Sequence, residues 1–98
     1  MAFVQIIEFQ TADLASVRKL NEEWEHATRG KRTARRQIVT RDRNDPNRCL
    51  TMVFFDSYES AMQNSSLPET QAVAGKYRAL ASGQPAFHDL DIIADQQL

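Results

Sequence analysis

Residues 53–70 read VFFDSYESAMQNSSLPET, and this stretch carries the strongest signal for the fold. Its apolar run ends at Asp56, and Asp56 with Glu59 has the spacing of a capping box that opens a helix. The polar segment 64–66 (NSS) interrupts that helix. Pro68, a residue favoured in the first turn, indicates that another helix starts directly afterwards. We therefore expect a strand, a short helix and a second helix in close succession.

Around this stretch, hydrophobic patterning predicts the remaining elements. Residues 14–28 place apolar side chains three or four positions apart, which is typical of an amphipathic helix, and Thr11 and Asp13 offer caps upstream. Ser66 and Glu69 are the expected caps of the last helix. Alternating or continuous runs of β-branched and aromatic residues predict strands over 3–9, 33–42, 48–56 and 86–94.

The order β-α-β-β-α-β predicts one α+β domain of the ferredoxin-like kind, with the helices on one face of a four-stranded antiparallel sheet. A length of 98 residues fits a single domain over 1–98, with an ordered core of about 2–94. The predicted strands carry apolar residues on both faces, and the helices can cover only one. Pairing of two sheets in a homodimer is the simplest way to cover the other.

Composition argues against several classes of protein. A net charge of −1 gives no positive field for nucleic acid or an anionic membrane. The lone Cys49 cannot form an internal disulfide, and no apolar run reaches the roughly 20 residues of a membrane span. Gln5 and Glu8 break the apolar N-terminal stretch, so we expect no signal peptide and a cytoplasmic location. The histidines and carboxylates lack metal-ligand spacing, so no metal is expected.

The layout, the length, the interrupted helix and the segment VFFDSYESAM resemble the dimeric α+β barrel proteins, and within them the antibiotic biosynthesis monooxygenase (ABM) domains. The resemblance covers nearly the whole chain. It implies a homodimer whose two sheets face each other, with a small pocket between sheet and helices in each protomer. Some members of this superfamily oxidise aromatic polyketides without a metal or flavin, so the resemblance implies no cofactor.

Other members of the superfamily degrade haem, and the sequence departs from their pattern. In the haem-degrading members, the first strand carries an Asn, and a Trp and a His lie on or near the second helix. Here the first strand carries Gln5, and no His or Trp occurs between residues 57 and 82. Haem degradation is therefore not the expected activity.

Three side chains are candidates for catalysis. His88 shares a partly apolar strand face with Leu90 and has the chemistry of a general base near neutral pH. Tyr58 can protonate a polar substrate atom, and Asn64 lies in the helix break, where small polar residues often line pockets. The structural alternatives are a His88 hydrogen-bonded at the sheet edge or dimer interface, and a Tyr58 packed in the core or the interface.

Four residues are candidates for substrate binding: Trp24, Tyr77, Arg35 and Gln37. Trp24 belongs to the apolar stripe of the first helix, so it is either a core residue or the wall of an aromatic pocket. Tyr77 can bind or protonate a polar substrate atom, and its alternative is packing in the core or the interface. Arg35 and Gln37 share one face of the second strand, and Arg35 can bind an acid through two hydrogen bonds. Arg35 belongs to the basic cluster KRTARR at 31–36, and the alternative for this cluster is a solvated loop held by salt bridges.

Two functions remain open from the sequence. One is a cofactor-independent monooxygenase acting on a small aromatic or polyketide-like molecule. The other is a non-catalytic dimeric module that binds a small molecule or is associated with stress, because a fold by itself does not specify a function.

Overall fold

The computed structural model describes residues 2–98 and forms the predicted α+β sandwich of one sheet and one helical layer. The elements follow the order β1 (Phe3–Gln10), α1 (Leu14–Ala27), β2 (Arg36–Arg41), β3 (Arg48–Phe55), α2 (Tyr58–Ser66), α3 (Pro68–Leu80) and β4 (Ala86–Asp91). The sheet is antiparallel with strand order β2-β3-β1-β4. The prediction of a ferredoxin-like fold is confirmed. Each helix of residues 2–98 is too short or too polar to cross a lipid bilayer.

The central pair of strands, β1 and β3, gives the sheet two chemically different faces. These strands pair over eight residues, from Phe3 opposite Phe55 to Gln10 opposite Arg48. Because side chains alternate along a strand, one row points to the helices and the next row points away. The face toward the helices, here called the helix face, buries Phe3, Phe9, Cys49, Val53 and Phe55. The opposite face, here called the open face, carries Val4, Ile6, Ile38, Leu50, Met52 and Phe54, all half-buried.

Helix α1 begins where the sequence predicts, because the Asp13 carboxylate accepts a hydrogen bond from the backbone N of Ser16 at 3.0 Å. The helix buries Val17, Leu20, Asn21 and Trp24 against the sheet and α3. The expected stripe was Leu14, Val17, Leu20, Trp24 and Ala27. Ala27 is exposed instead, and the buried surface contains a polar residue, Asn21, that the stripe omitted.

The predicted capping box of α2 does not form, and the helix cap lies one residue later than predicted. Ser57, not Asp56, caps the helix by accepting a hydrogen bond from the backbone N of Ser60 at 3.1 Å. Asp56 does not cap the helix, and its carboxylate instead accepts two hydrogen bonds from Arg35.

The break between α2 and α3 also lies later than the sequence predicts. Residues 64–66 belong to α2, and the chain leaves the helix only at Leu67, which is extended at φ −62° and ψ 132°. The cause is Pro68, whose ring disfavours the helical conformation of the residue before it. Ser66 does not cap α3, since its hydroxyl donates back to the carbonyl of Met62 at 2.9 Å.

Three strands are shorter than predicted: β3 ends one residue early, at Phe55, and β2 and β4 differ by more. Strand β2 starts at Arg36 rather than at residue 33, because Thr33 is bound by helix α2: its hydroxyl donates to the carbonyl of Ser60. Strand β4 was predicted to reach residue 94. It ends at Asp91, because its pairing with β1 stops there.

A cluster of charges spans one end of the open face. Arg48 binds Asp42 at 2.8 Å and Glu8 at 2.9 Å, and the Nε2 atom of His88 lies 3.4 Å from Glu8. The hydrogen bond and charge of Arg48 hold the pKa of the Glu8 carboxyl below its ordinary value of 4.5. A backbone hydrogen bond from Asn44, followed by Arg48, lowers the pKa of Asp42.

We expect the Arg48→Met variant to lose stability near neutral pH and to lose progressively less as the pH falls. The depressed carboxyl pKa contributes stability above its unfolded value of 4.5, and that contribution disappears as the pH falls through the folded pKa. Thermal unfolding from about pH 7 to about pH 3 checks this. Arg43→Met is the control, because Arg43 is an exposed arginine in the connection between β2 and β3 that leads to Arg48. A difference in Tm between Arg48→Met and the parent that is constant with pH would contradict the expectation.

Candidate functional site

A cleft of about 290 Å³ lies between the helix face of the sheet and the helices, here called the sheet–helix cleft. Its volume is close to the lower limit of typical small-molecule sites. The apolar part of the lining comes from three strands, α1 and α3, and includes Ile7, Val53, Phe55, Phe87, Trp24, Val73 and Ala74. The cleft exists because α1 packs mainly on α3 and leaves part of the sheet uncovered.

The polar part of the lining is dominated by carboxamides. Five amide side chains line the cleft: Gln5, Asn21, Gln37, Asn64 and Gln71. Arg78 is the one charged residue in the lining, which includes no carboxylate, histidine or thiol. Amides donate and accept hydrogen bonds but do not take up protons near neutral pH. The cleft can therefore orient an oxygen-bearing ligand and stabilise an anion beside Arg78, without providing a general base.

Trp24 forms a wall of the cleft and is held from two sides. Its indole Nε1 donates to the hydroxyl of Thr70 on α3 at 3.0 Å, and the guanidinium of Arg32 lies 5.7 Å from its ring centre. Only 8% of the residue is exposed. Trp24 therefore packs in the core and also lines the cleft, and its role as the wall of an aromatic-substrate pocket stays a prediction.

Asn64 lines the same cleft from the end of α2 and is 5% exposed. Its Oδ1 accepts a hydrogen bond from the backbone N of Thr33 at 3.3 Å, which restrains the amide plane. The sequence predicted that Asn64 lies in a helix break. In the structure the break is at Leu67, and Asn64 lies three residues before it, within α2.

Tyr77 lines the cleft while its ring packs edge-on against Phe9, with ring centres 5.7 Å apart. Burial, and then the nearby Cys49 thiol, raises the pKa of Tyr77 well above that of an exposed phenol. Burial likewise raises the pKa of Cys49, which lies at the sheet surface under the helices and is fully buried. Both groups are therefore neutral at physiological pH, and Tyr77 is suited to donate a hydrogen bond rather than a proton.

Gln37 lines the cleft from strand β2, but its predicted companion Arg35 does not. The Nε and Nη2 atoms of Arg35 both donate to Asp56, at 3.1 and 2.7 Å, on the protein surface. Arg35 instead borders a shallow adjoining groove that also includes Trp24 and Gln37. Its bidentate partner is thus a side chain of the same protein.

His88 and Tyr58 lie away from the cleft. His88 pairs with Ile6 in the sheet register, so its side chain is on the open face, where it meets Glu8. Tyr58 is half-exposed at the start of α2, edge-on to Phe3 at 5.6 Å. Of the seven predicted site residues, the cleft brings together Trp24, Gln37, Asn64 and Tyr77. The catalytic roles proposed for His88 and Tyr58 stay predictions.

Several lining residues were not among the sequence candidates, notably Asn21, Thr70 and Arg78. A signal for Asn21 was present, because it lies four residues after Val17 and three before Trp24, on the same stripe of α1. The sequence gives no comparable signal for Arg78, because α3 has several exposed residues and nothing distinguishes Arg78 from the others. Within residues 2–98, no group of three or more His, Cys, Asp or Glu side chains is arranged to hold a metal ion.

Several solved structures have the same fold as this chain over nearly its whole length. SnoaB of Streptomyces nogalater, described as a cofactor-independent oxygenase and solved as an asparagine-to-alanine mutant, matches with a TM-score of 0.81 at 12% identity over 96% of this chain and 95% of SnoaB. The chain shares the fold of SnoaB. Two proteins provisionally named antibiotic biosynthesis monooxygenases also match. That of Deinococcus radiodurans has a TM-score of 0.77 at 16% identity, over 100% of this chain and 98% of its own.

The second such protein, from Chloroflexus aurantiacus, has a TM-score of 0.76 at 17% identity, over 99% of this chain and 98% of its own. No protein-family model matches the sequence, and no curated protein matches it either. At identities this low the structural likeness establishes the fold alone, and any function has to be argued from the cleft.

Replacing Thr70 with Val should remove the acceptor of the Trp24 indole N–H. A buried donor left without a partner costs about 1–3 kcal/mol, which for a domain of this size lowers Tm by several degrees. Thr70→Ser keeps the hydroxyl and is the matched control. Because Trp24 is the only tryptophan, its indole N–H gives a single peak in a ¹⁵N-correlated NMR spectrum, and that peak should move in Thr70→Val alone. Equal Tm values for both variants would contradict the assigned bond.

Proposed function

We propose that the sheet–helix cleft binds a small, flat aromatic or polyketide-like molecule and supports its oxygenation without a cofactor. The observation that carries this proposal is the cleft itself, with an indole wall at Trp24, apolar strand residues beneath and amide groups around its rim. Apolar walls with a few converging polar groups are the usual composition of a small-molecule site. The ABM fold shared with SnoaB, an oxygenase, supports the same assignment.

In such a reaction the substrate supplies the electrons. With 1-naphthol as an example, C₁₀H₈O and O₂ give 1,4-naphthoquinone, C₁₀H₆O₂, and H₂O. One oxygen atom enters the ring and the other leaves as water, so no external reductant is needed. The electron-rich form that reacts with O₂ is the phenolate or enolate, and the protein has to favour that anion.

The lining residues suit this task in a specific way. Arg78 stabilises a negative charge on the ligand oxygen, and the amide of Asn64 can donate a hydrogen bond to it. Because the lining holds no group that takes up a proton near neutral pH, the proton leaves the substrate to water, and the acidity of the substrate becomes a selection criterion. The apolar strand residues keep bulk water away from the ring.

Occupancy of the cleft is tested by following the single Trp24 indole N–H peak during titration with 1-naphthol. We expect a saturable shift in the parent protein and none in Ala74→Phe, which fills the cleft from α3. Ala72→Phe, on the exposed side of the same helix, is the control and should behave like the parent. An unmoved indole peak in the parent protein would refute the proposal.

Turnover separates the oxygenase from the second candidate, a module that binds without reacting. The lack of a proton acceptor in the lining favours this second function. With ¹⁸O₂ and 1-naphthol, the oxygenase predicts one labelled oxygen in the naphthoquinone and one in water. Saturable binding with no oxygen uptake would identify a binding module.

We also propose that the protein is a homodimer through the open face of the sheet. The apolar residues of this face, Val4, Ile6, Ile38, Leu50, Met52 and Phe54, have no helix over them in the protomer. Exposed apolar areas of several hundred Å² on one face typically mark an interface. A second copy offers the same apolar rows, and a two-fold axis lets each copy cover the other.

Ile38 and Val39 provide a matched test because they are neighbours on β2 with side chains on opposite faces of the sheet. Ile38→Lys should shift the molecular mass measured by light scattering from dimer to monomer, since it places a charge in the proposed interface. Val39→Lys changes the other face, where Val39 is 37% exposed, and should remain dimeric. A parent protein that is monomeric at micromolar concentration would refute the dimer.

A further inference from the structure

Asn21 is an unusual residue in the helical layer. It is 8% exposed, it lines the sheet–helix cleft, and its Nδ2 atom is buried with no hydrogen-bond partner among residues 2–98. A buried amide N–H without an acceptor destabilises the folded protein. An apolar residue at this position of the stripe, between Leu20 and Trp24, would avoid that loss.

The surroundings of Asn21 show where an acceptor can come from. The residue borders the sheet–helix cleft on one side, and on the other side a groove between α1 and β2 that includes Leu14 and Val39. A second buried polar atom without a partner, the hydroxyl of Thr51, lies in the sheet layer between Ile7 and Val39 in the strand register. Of these two groups only Asn21 lines the cleft, so it is the one whose missing partner a cleft ligand can supply.

We propose that the Asn21 amide is a specificity-determining donor for an oxygen atom of the cleft ligand, an inference that rests on the proposed small-molecule function. The ligand class is then narrower than flat aromatics in general. It consists of phenols and aryl ketones, whose oxygen accepts the Nδ2 hydrogen bond, and it disfavours hydrocarbons of the same shape. A site whose buried polar group is left unpaired by the wrong ligand discriminates more strongly than an apolar pocket does.

Asn21→Leu and Asn21→Ala both remove the donor, the first with similar volume and the second with added space. Their pairing separates the loss of a hydrogen bond from steric blocking. His26→Leu, on the exposed side of the same helix, controls for a leucine substitution in α1. The probes are 1-naphthol and 1-methylnaphthalene, which differ in the hydroxyl and methyl groups and have nearly the same shape.

We expect both Asn21 variants to bind 1-naphthol about fivefold to tenfold more weakly than the parent, which corresponds to the net loss of one hydrogen bond. Their affinity for 1-methylnaphthalene should be unchanged or higher, because that compound cannot accept the bond. Without ligand, Asn21→Leu should raise Tm by about 4 °C or more, since it removes a buried unpartnered group. His26→Leu should show neither change.

The outcomes distinguish this inference from the proposed function. If neither compound moves the Trp24 indole peak of the parent, the cleft is not a ligand site and both proposals fall. If both compounds bind and the two Asn21 variants leave the affinity for 1-naphthol unchanged, or weaken both compounds equally, the cleft function stands and the role of Asn21 is refuted. A lower Tm in ligand-free Asn21→Leu also refutes it, because it would mean that the amide is already satisfied in the folded protein.

Discussion

The pairing of β1 with β3 is the interaction on which the rest of the structure depends. Its register sets Phe3 opposite Phe55 and Phe9 opposite Cys49, and these residues form the surface on which the helices pack. A slip of one residue would turn this apolar row away from the helices. The same register places Gln5 beside Val53, which gives the cleft its floor, and leaves a second apolar row on the open face.

The helical layer covers the sheet unevenly, and the cleft follows from that. Helix α1 packs chiefly on α3, where Trp24 is joined to Thr70 by a hydrogen bond, and it lies less closely on the sheet. The gap retains apolar strand residues as walls and receives amides from both layers. Its lining is therefore suited to orienting a polar group and stabilising an anion, with Arg78 as the charged residue.

Local patterns predicted the elements well where the determinant is close in sequence. The Asp13 cap of α1 and the order of strands and helices followed from neighbouring residues. Prediction was less exact where two local signals competed. Asp56 and Ser57 could both cap α2, and a distant residue, Arg35, occupies the Asp56 carboxylate. The low helix preference of residues 64–66 predicted the helix break there. The break lies at Leu67 instead, because the ring of Pro68 disfavours the helical conformation at the residue before it.

The sequence by itself determined the α+β class, the antiparallel order of elements and the presence of apolar residues on both faces of the sheet, because alternation and periodicity are local properties. It also marked Trp24, Gln37, Asn64 and Tyr77 as candidates. Only the tertiary structure decided which candidates meet. The strand register turns His88 to the open face beside Glu8, while Asn21, from another layer, reaches the cleft that His88 does not. The face that a strand residue occupies depends on pairing with residues far away in the chain. The hydrogen-bond partners open to a buried amide are likewise set by distant residues.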